Sequence, residues 1–369
     1  MGKEKKPHGR EERRYRSADD EYTRVSSAAY GNGETAIVSF VGYSVPHTSA
    51  PLQKLSEAYA RQFGATFHLV ETASKKFNGK NKMQYEVEAA HERVQEIVDE
   101  HRDRNGQVDL YLSGHSRGAI IATGTQHLFE EENPDNTLNP LTLFNPKGIT
   151  EQGLAELSGA VTLDLYNAIV DSANQKNGDR WRALLTTADI YGEVGIVQLD
   201  KLRESRMKYP RRILDELRPC QERSPYMSLI KSPVLIFTGE KDPLALPGHI
   251  IPDGEQVPTL LQLPTLLGKH IRKRDFLKLP TEVGGAVRNL FGKDKNGFIL
   301  DLEERSAYLQ ENYFTSSASV LMLVAQGKGH SFSAFDPETI ARITYEAIEH
   351  IASGSKERFD LGSYDQKFI

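Results

Sequence analysis

Residues 108–122 read VDLYLSGHSRGAIIA, and this stretch decides the fold. Val108, Leu110 and Leu112 recur every second residue, the period of a strand with one face in a core. Ala119-Ile120-Ile121-Ala122 then opens an apolar helix. The join between them is Gly114-His115-Ser116-Arg117-Gly118. A chain that turns straight from strand into helix strains the residue at the corner and crowds the positions two before and two after it, so glycine suits 114 and 118. The same corner lifts the Ser116 side chain away from the sheet. A hydroxyl is a poor nucleophile at neutral pH and needs both that position and an adjacent base. The plainer alternative is a glycine-rich turn without chemistry.

Working outward, Ala36 to Val41 (AIVSFV) is a buried strand ending at Gly42, Ala50 to Phe63 is helical, and Thr66 to Val70 is a second strand. Met83, Val87, Ala90, Val94 and Ile97 recur at three- and four-residue spacing, which marks an amphipathic helix. Downstream, Leu141 to Phe144, Val234 to Phe237 and Ser319 to Val324 are strands, and Pro337 to Ile351 is a final helix. Strands alternating with helices predict an α/β protein, a mainly parallel sheet with helices on both faces. Residues 1–30 lack apolar periodicity and read as a charged mobile tail. Residues 31–146 are the first part of the core and 147–232 a cap insertion. Residues 233–355 are the second part, interrupted by an insertion at about 249–300, and 356–369 form a C-terminal tail.

With 369 residues, 38% of them hydrophobic, the chain can bury a sizeable core. A net charge of -5 with both signs interspersed argues against a nucleic-acid binder. The single cysteine, Cys220, cannot form an intramolecular disulfide, so a reducing compartment is acceptable. The N-terminal MGKEKKPHGR lacks the apolar stretch of a secretory signal, and Lys6 stands where a myristoylation signal needs Ser or Thr. No run approaches the roughly 18 to 20 apolar residues of a spanning helix. The expectation is a protein without a transmembrane segment, cytoplasmic or exported without a conventional signal peptide, its oligomeric state left open. There is no H-E-x-x-H motif and no Walker or dinucleotide glycine pattern, so the reaction is expected to need no cofactor and no metal.

Two later stretches complete a pattern. VLIFTGEKDPLALP (234–247) and VLMLVAQGKGHSFSAF (320–335) each run from an apolar strand into a loop carrying an acid or a histidine. Together with the Ser116 motif they resemble the α/β-hydrolase superfamily over about residues 35–351, where nucleophile, acid and histidine follow in that order. The resemblance implies an acyl-enzyme on Ser116, His330 as base, and Asp242 orienting the imidazole and stabilising its charged form. Glu240 and Asp171 stay open as alternative acids. His47, His68 and His115 lie near the motif in sequence, but none follows a final strand. The resemblance also implies an oxyanion hole built from the backbone N–H of Arg117 and, after Gly42, that of Tyr43, although Val41-Gly42 departs from the family's His-Gly pattern there.

The implied activity is hydrolysis of a carboxylic ester or thioester of a small molecule or lipid. An acyltransferase using the same triad and a non-catalytic hydrolase-fold binding module remain alternatives. Between residues 259 and 289, Leu260, Leu261, Leu263, Leu266 and Leu267 stand beside Lys269, Arg272, Lys273, Arg274 and Lys278, a candidate for peripheral contact with anionic lipid. Pro258, Pro264 and Pro280 preclude one long amphipathic helix. The plainer alternative is a lid packed on its own protein.

Overall fold

The structure is a computed structural model and describes residues 8–16, 22–42, 49–74, 82–101, 109–133, 139–149, 223–239, 242, 302–325, 333, 336–354 and 359. Its elements, in chain order, begin with β1 (His8–Arg16), β2 (Tyr22–Gly31), β3 (Thr35–Phe40), α1 (Ala50–Phe63), β4 (Ala65–Ser74) and α2 (Lys82–His101). There follow β5 (Leu110–His115), α3 (Gly118–Glu132), β6 (Leu141–Phe144), β7 (Val234–Gly239), α4 (Leu302–Asn312), β8 (Val320–Ala325) and α5 (Pro337–Ala352). The strands form one eight-stranded sheet in the order β1-β2-β4-β3-β5-β6-β7-β8. From β4 to β8 all neighbours are parallel, and β2 joins β4 antiparallel.

Parallel neighbours demand crossovers, and the helices supply them while covering both faces. Along each strand alternate side chains enter opposite layers. In β7, Val234 and Ile236 belong to the same buried layer as Val94, Ile121 and Leu309 of α2, α3 and α4, whereas Leu235 and Phe237 belong to the opposite layer with Tyr59 of α1 and Ile343 and Ile348 of α5. Every residue of β7 is buried, which explains its unbroken apolar sequence. Each fully buried aliphatic or aromatic side chain contributes roughly 1.5–3 kcal/mol, so these two layers carry the sheet.

The topology also marks where a site belongs. From β3 the chain leaves through α1 on one face toward β4. From the adjacent strand β5 it leaves through α3 on the other face toward β6. The two connections thus leave adjacent strands on opposite faces of the sheet, and such a switch point, beyond the strands' carboxyl ends, is where open α/β sheets bind ligands.

Two boundaries drawn from the sequence need correction. By sequence residues 1–30 read as a charged tail, but 8–16 and 22–31 form an antiparallel hairpin that extends the sheet. Its stabilising partners sit on α2: Arg13 pairs with Glu96 at 2.6 Å, buried Arg93 with Glu11 at 2.8 Å, and the Tyr15 hydroxyl donates to Glu96 at 2.7 Å. Burial raises the Glu96 carboxyl, but hydrogen bonds from Tyr15, Arg93 and Arg13 outweigh it and hold the group below its ordinary value. A charged strand whose counter-charges lie some 80 residues away in the chain has no local apolar signature. Residues 147–149 and 223–232, assigned to the cap, belong to the core layer, with Ile149, Met227 and Ile230 buried there. The rest of the cap, from 150 to 222, and the insertion at about 249–300 lie outside the described residues, as does the 259–289 segment. Among the described residues no helix is long and apolar enough to cross a membrane.

Candidate active site

The corner between β5 and α3 is as tight as its sequence demands. Ser116 has φ +54°, a left-handed conformation that costs a non-glycine residue roughly 1–2 kcal/mol. It is held there by a backbone clamp: Ser116 N–H donates to the Phe144 carbonyl at 2.9 Å, and its own carbonyl accepts from Ala119 at 3.0 Å and Lys147 at 3.1 Å. A Cβ at position 114 would lie 2.4 Å from the Gly118 carbonyl oxygen, and one at 118 would lie 2.1 Å from that of Phe40. Both obstacles are backbone, so glycine is required at each.

A strained serine at a strand–helix corner, on the middle strands of a mainly parallel eight-stranded sheet, decides the architecture. The fold is that of the α/β-hydrolases. Ser116 occupies the corner between β5 and α3, hereafter the elbow, and Arg117 is the N-cap residue of α3. Its N–H thus stands at the positive end of the helix macrodipole.

No protein-family model matches the chain, and no curated protein matches it in sequence. Solved structures similar to it include a bacterial membrane phospholipase A described as a virulence factor, at 13% identity, covering 94% of this chain and 88% of that one, with TM-score 0.45. Another is a hyperthermophilic esterase from the archaeon Pyrobaculum calidifontis, at 16% identity, covering 95% and 84%, with TM-score 0.43. A third is a serine hydrolase involved in carbazole degradation, at 12% identity, covering 93% and 100%, with TM-score 0.44. No residue role is carried from them to this chain.

The end of β3 closes on the elbow. A Cβ on Gly42 would lie 3.0 Å from His115 Nδ1 and 3.2 Å from Ser116 Cβ. Beside this contact is a small, mostly apolar cavity of about 50 Å³, lined by Ser39, Gly42, Ser49, Leu55, His115 and Ser333 among others. Tyr43 lies outside the described residues.

Asp242 is anchored through β6. Asn145 also adopts a left-handed backbone, φ +44°, and its Oδ1 accepts from the Gly239 N–H at 2.9 Å. Gly239 ends β7, and its carbonyl accepts from the Asp242 N–H at 3.1 Å. Asp242 is fully buried. The chain thus ties the loop after β7 to the strand end that clamps Ser116. His330 lies outside the described residues, as do His47, Asp171 and Glu240. The flanking Ala325 ends β8, and Ser333 lines the cavity beside Gly42 and His115.

His68 is not at the elbow but buried in β4, where its Nε2 meets that of His101 at 3.0 Å. His101 Nδ1 faces the Glu34 carbonyl at 3.2 Å and must donate to it, so His101 Nε2 is the acceptor and His68 Nε2 the donor. Burial, then the neighbouring His101 and Arg93, depress the His68 pKa to about 3. Among the described residues no group of three or more His, Cys, Asp or Glu side chains could hold a metal ion.

The sequence passed over two residues of this region. Glu86 of α2 forms a buried ion pair with Arg117, and Asn145 fixes the end of β7. The signal for Glu86 was present: a carboxylate at 86 interrupts the stripe of Met83, Val87 and Ala90, where the helical period calls for an apolar side chain. Asn145 directly after a buried strand was the other signal, since Asn tolerates φ > 0 better than most residues.

Proposed function

We propose that this protein is a serine hydrolase acting on a carboxylic ester or thioester through an acyl-enzyme on Ser116. The observation that carries the proposal is the left-handed Ser116, pressed between two glycines that backbone contacts make irreplaceable. Strain of this kind persists only where the surroundings enforce it, and it is spent here on presenting one hydroxyl. In the proposed reaction His330 takes the Ser116 proton as Oγ attacks the acyl carbon, then returns it to the leaving alcohol or thiol. Asp242 orients the imidazole and balances its charge. Water, activated by the same His330, hydrolyses the acyl-enzyme. The tetrahedral oxygen is held by the backbone N–H groups of Arg117 and Tyr43, the former favoured by the α3 macrodipole. The buried Asp242, tied through Gly239 to Asn145, supports the acid assignment. The return of the chain to the elbow at Ser333 supports that of His330.

Labelling by a fluorophosphonate tests the reading. Wild-type protein is expected to be labelled, and Ser116→Ala is expected to abolish labelling while leaving the fold intact. His330→Ala should lower turnover by several orders of magnitude. Folded wild-type protein that resists the reagent would refute the proposal, and labelling that survives Ser116→Ala would move the nucleophile elsewhere.

A further inference from the structure

We infer that Glu86 is a positioning residue for the reaction proposed above, on which this inference rests: through the Arg117 side chain it fixes the peptide whose N–H is the oxyanion donor. Arg117 follows Ser116 directly. Its guanidinium is paired with Glu86 Oε2, and both side chains are nearly removed from solvent, at 8% and 1% exposure. Thr72 of β4 donates to the same oxygen at 3.4 Å. Three elements, β4, α2 and the start of α3, thus converge on one side chain.

For stability alone this is a poor arrangement. Two desolvated charges are costly to bury, and an apolar pair of the same size would commonly serve as well or better. The position of Arg117 supplies a reason for the pair. The backbone passes from left-handed Ser116, φ +54°, to right-handed Arg117, φ -58° and ψ -33°. Any relaxation of Ser116 toward an ordinary conformation would swing the intervening peptide and carry its N–H away from the oxyanion. An arm anchored on α2, a separate helix, resists that swing.

The electrostatic rival makes the opposite prediction. If Arg117 acted by its charge, releasing it from Glu86 would raise or preserve the rate. We expect Glu86→Gln to lower kcat on a p-nitrophenyl ester by about 10- to 100-fold, part of the 10²- to 10³-fold lost when an oxyanion donor is removed outright. KM should stay within about threefold, since the loss falls on the transition state. Affinity for an aryl boronate, whose tetrahedral adduct places an oxygen in the hole, should fall in parallel with kcat. Because Glu86→Gln leaves a buried cation, the double variant Glu86→Leu with Arg117→Met removes both charges and is measured alongside, its fold checked by near-ultraviolet dichroism. The same kcat loss is expected in it. Wild-type kcat and boronate affinity in a folded double variant, or an unchanged or raised kcat in Glu86→Gln, would overturn the inference alone. Wild-type protein that a fluorophosphonate fails to label would overturn it together with the proposed function.

Discussion

Replacing Gly118 with Ala tests how tightly the elbow is built. The added Cβ would fall 2.1 Å from the Phe40 carbonyl oxygen, 2.6 Å from its carbon and 2.7 Å from the Val41 oxygen. An ordinary contact begins at 3.4 Å, so β3 and α3 must separate by somewhat over 1 Å along that line. Overpacking of this sort costs typically about 1–3 kcal/mol, and here no side chain can rotate away to relieve it. The separation also pulls Gly42 from Ser116, and a misplacement of about 1 Å can cost on the order of 10²-fold in rate. Gly64→Ala is the matched control. Gly64 closes α1 with φ +60°, but a Cβ there would meet nothing within 4 Å. It should lose roughly 1–2 kcal/mol through backbone strain and keep its turnover. Urea unfolding and steady-state ester hydrolysis are measured on both variants. A Gly118→Ala protein as stable and as active as wild type would refute the packing account of the elbow.

Three further perturbations probe what surrounds it. Asn145→Ala should lose about 1–3 kcal/mol by stranding the Gly239 N–H and should lower kcat by loosening the loop that carries Asp242, whereas Asn145→Asp keeps the acceptor and most of the activity; equal kcat in the two variants would count against this link. The Glu130 carboxylate of α3 accepts the Lys231 and Ser232 N–H groups at 2.8 and 2.9 Å where the chain enters β7, so Glu130→Gln, which turns one acceptor into a donor, should cost about 2 kcal/mol in urea unfolding. His68, with its pKa depressed to about 3, stays neutral in the folded protein while the unfolded chain gains a proton below about 6.5. Its stabilising contribution is therefore complete above that pH and drains away as pH falls toward 3, by up to about 1.4 kcal/mol per pH unit. His68→Gln should flatten the pH dependence of stability in that window, and parallel curves for variant and wild type would contradict the assignment.

The strands and helices from Thr35 onward were legible because each carries its own periodicity. Alternating Leu110 and Leu112 lie buried in β5, and the three- and four-residue spacing of α2 places Val87, Ala90, Val94 and Ile97 in the core. Helix α1 runs over Ala50–Phe63, as expected from its sequence, and ends on left-handed Gly64. The N-terminal hairpin was not legible. Strand β1 is charged and β2 is mostly small or polar, and the Glu96 carboxylate and Arg93 guanidinium that pair with β1 belong to α2.

The candidate site divides along the same line. The corner at Ser116 was readable because part of its constraint is local: a strand, a turn of five residues and a helix leave room only for glycine at 114, whose Cβ would strike Gly118 and Ala119, whereas at 118 the obstacle is the backbone of β3. What the sequence by itself determined is therefore the layered α/β architecture and the strained serine within it, since both follow from periodicity and from backbone sterics over a few residues. Only the tertiary structure decided that Glu86 grips Arg117 from another helix, that Asn145 fastens the end of β7, and that the backbone of β3 lies against Gly118. Those relations join residues 31 to 94 positions apart, and no local propensity encodes a partner at that distance.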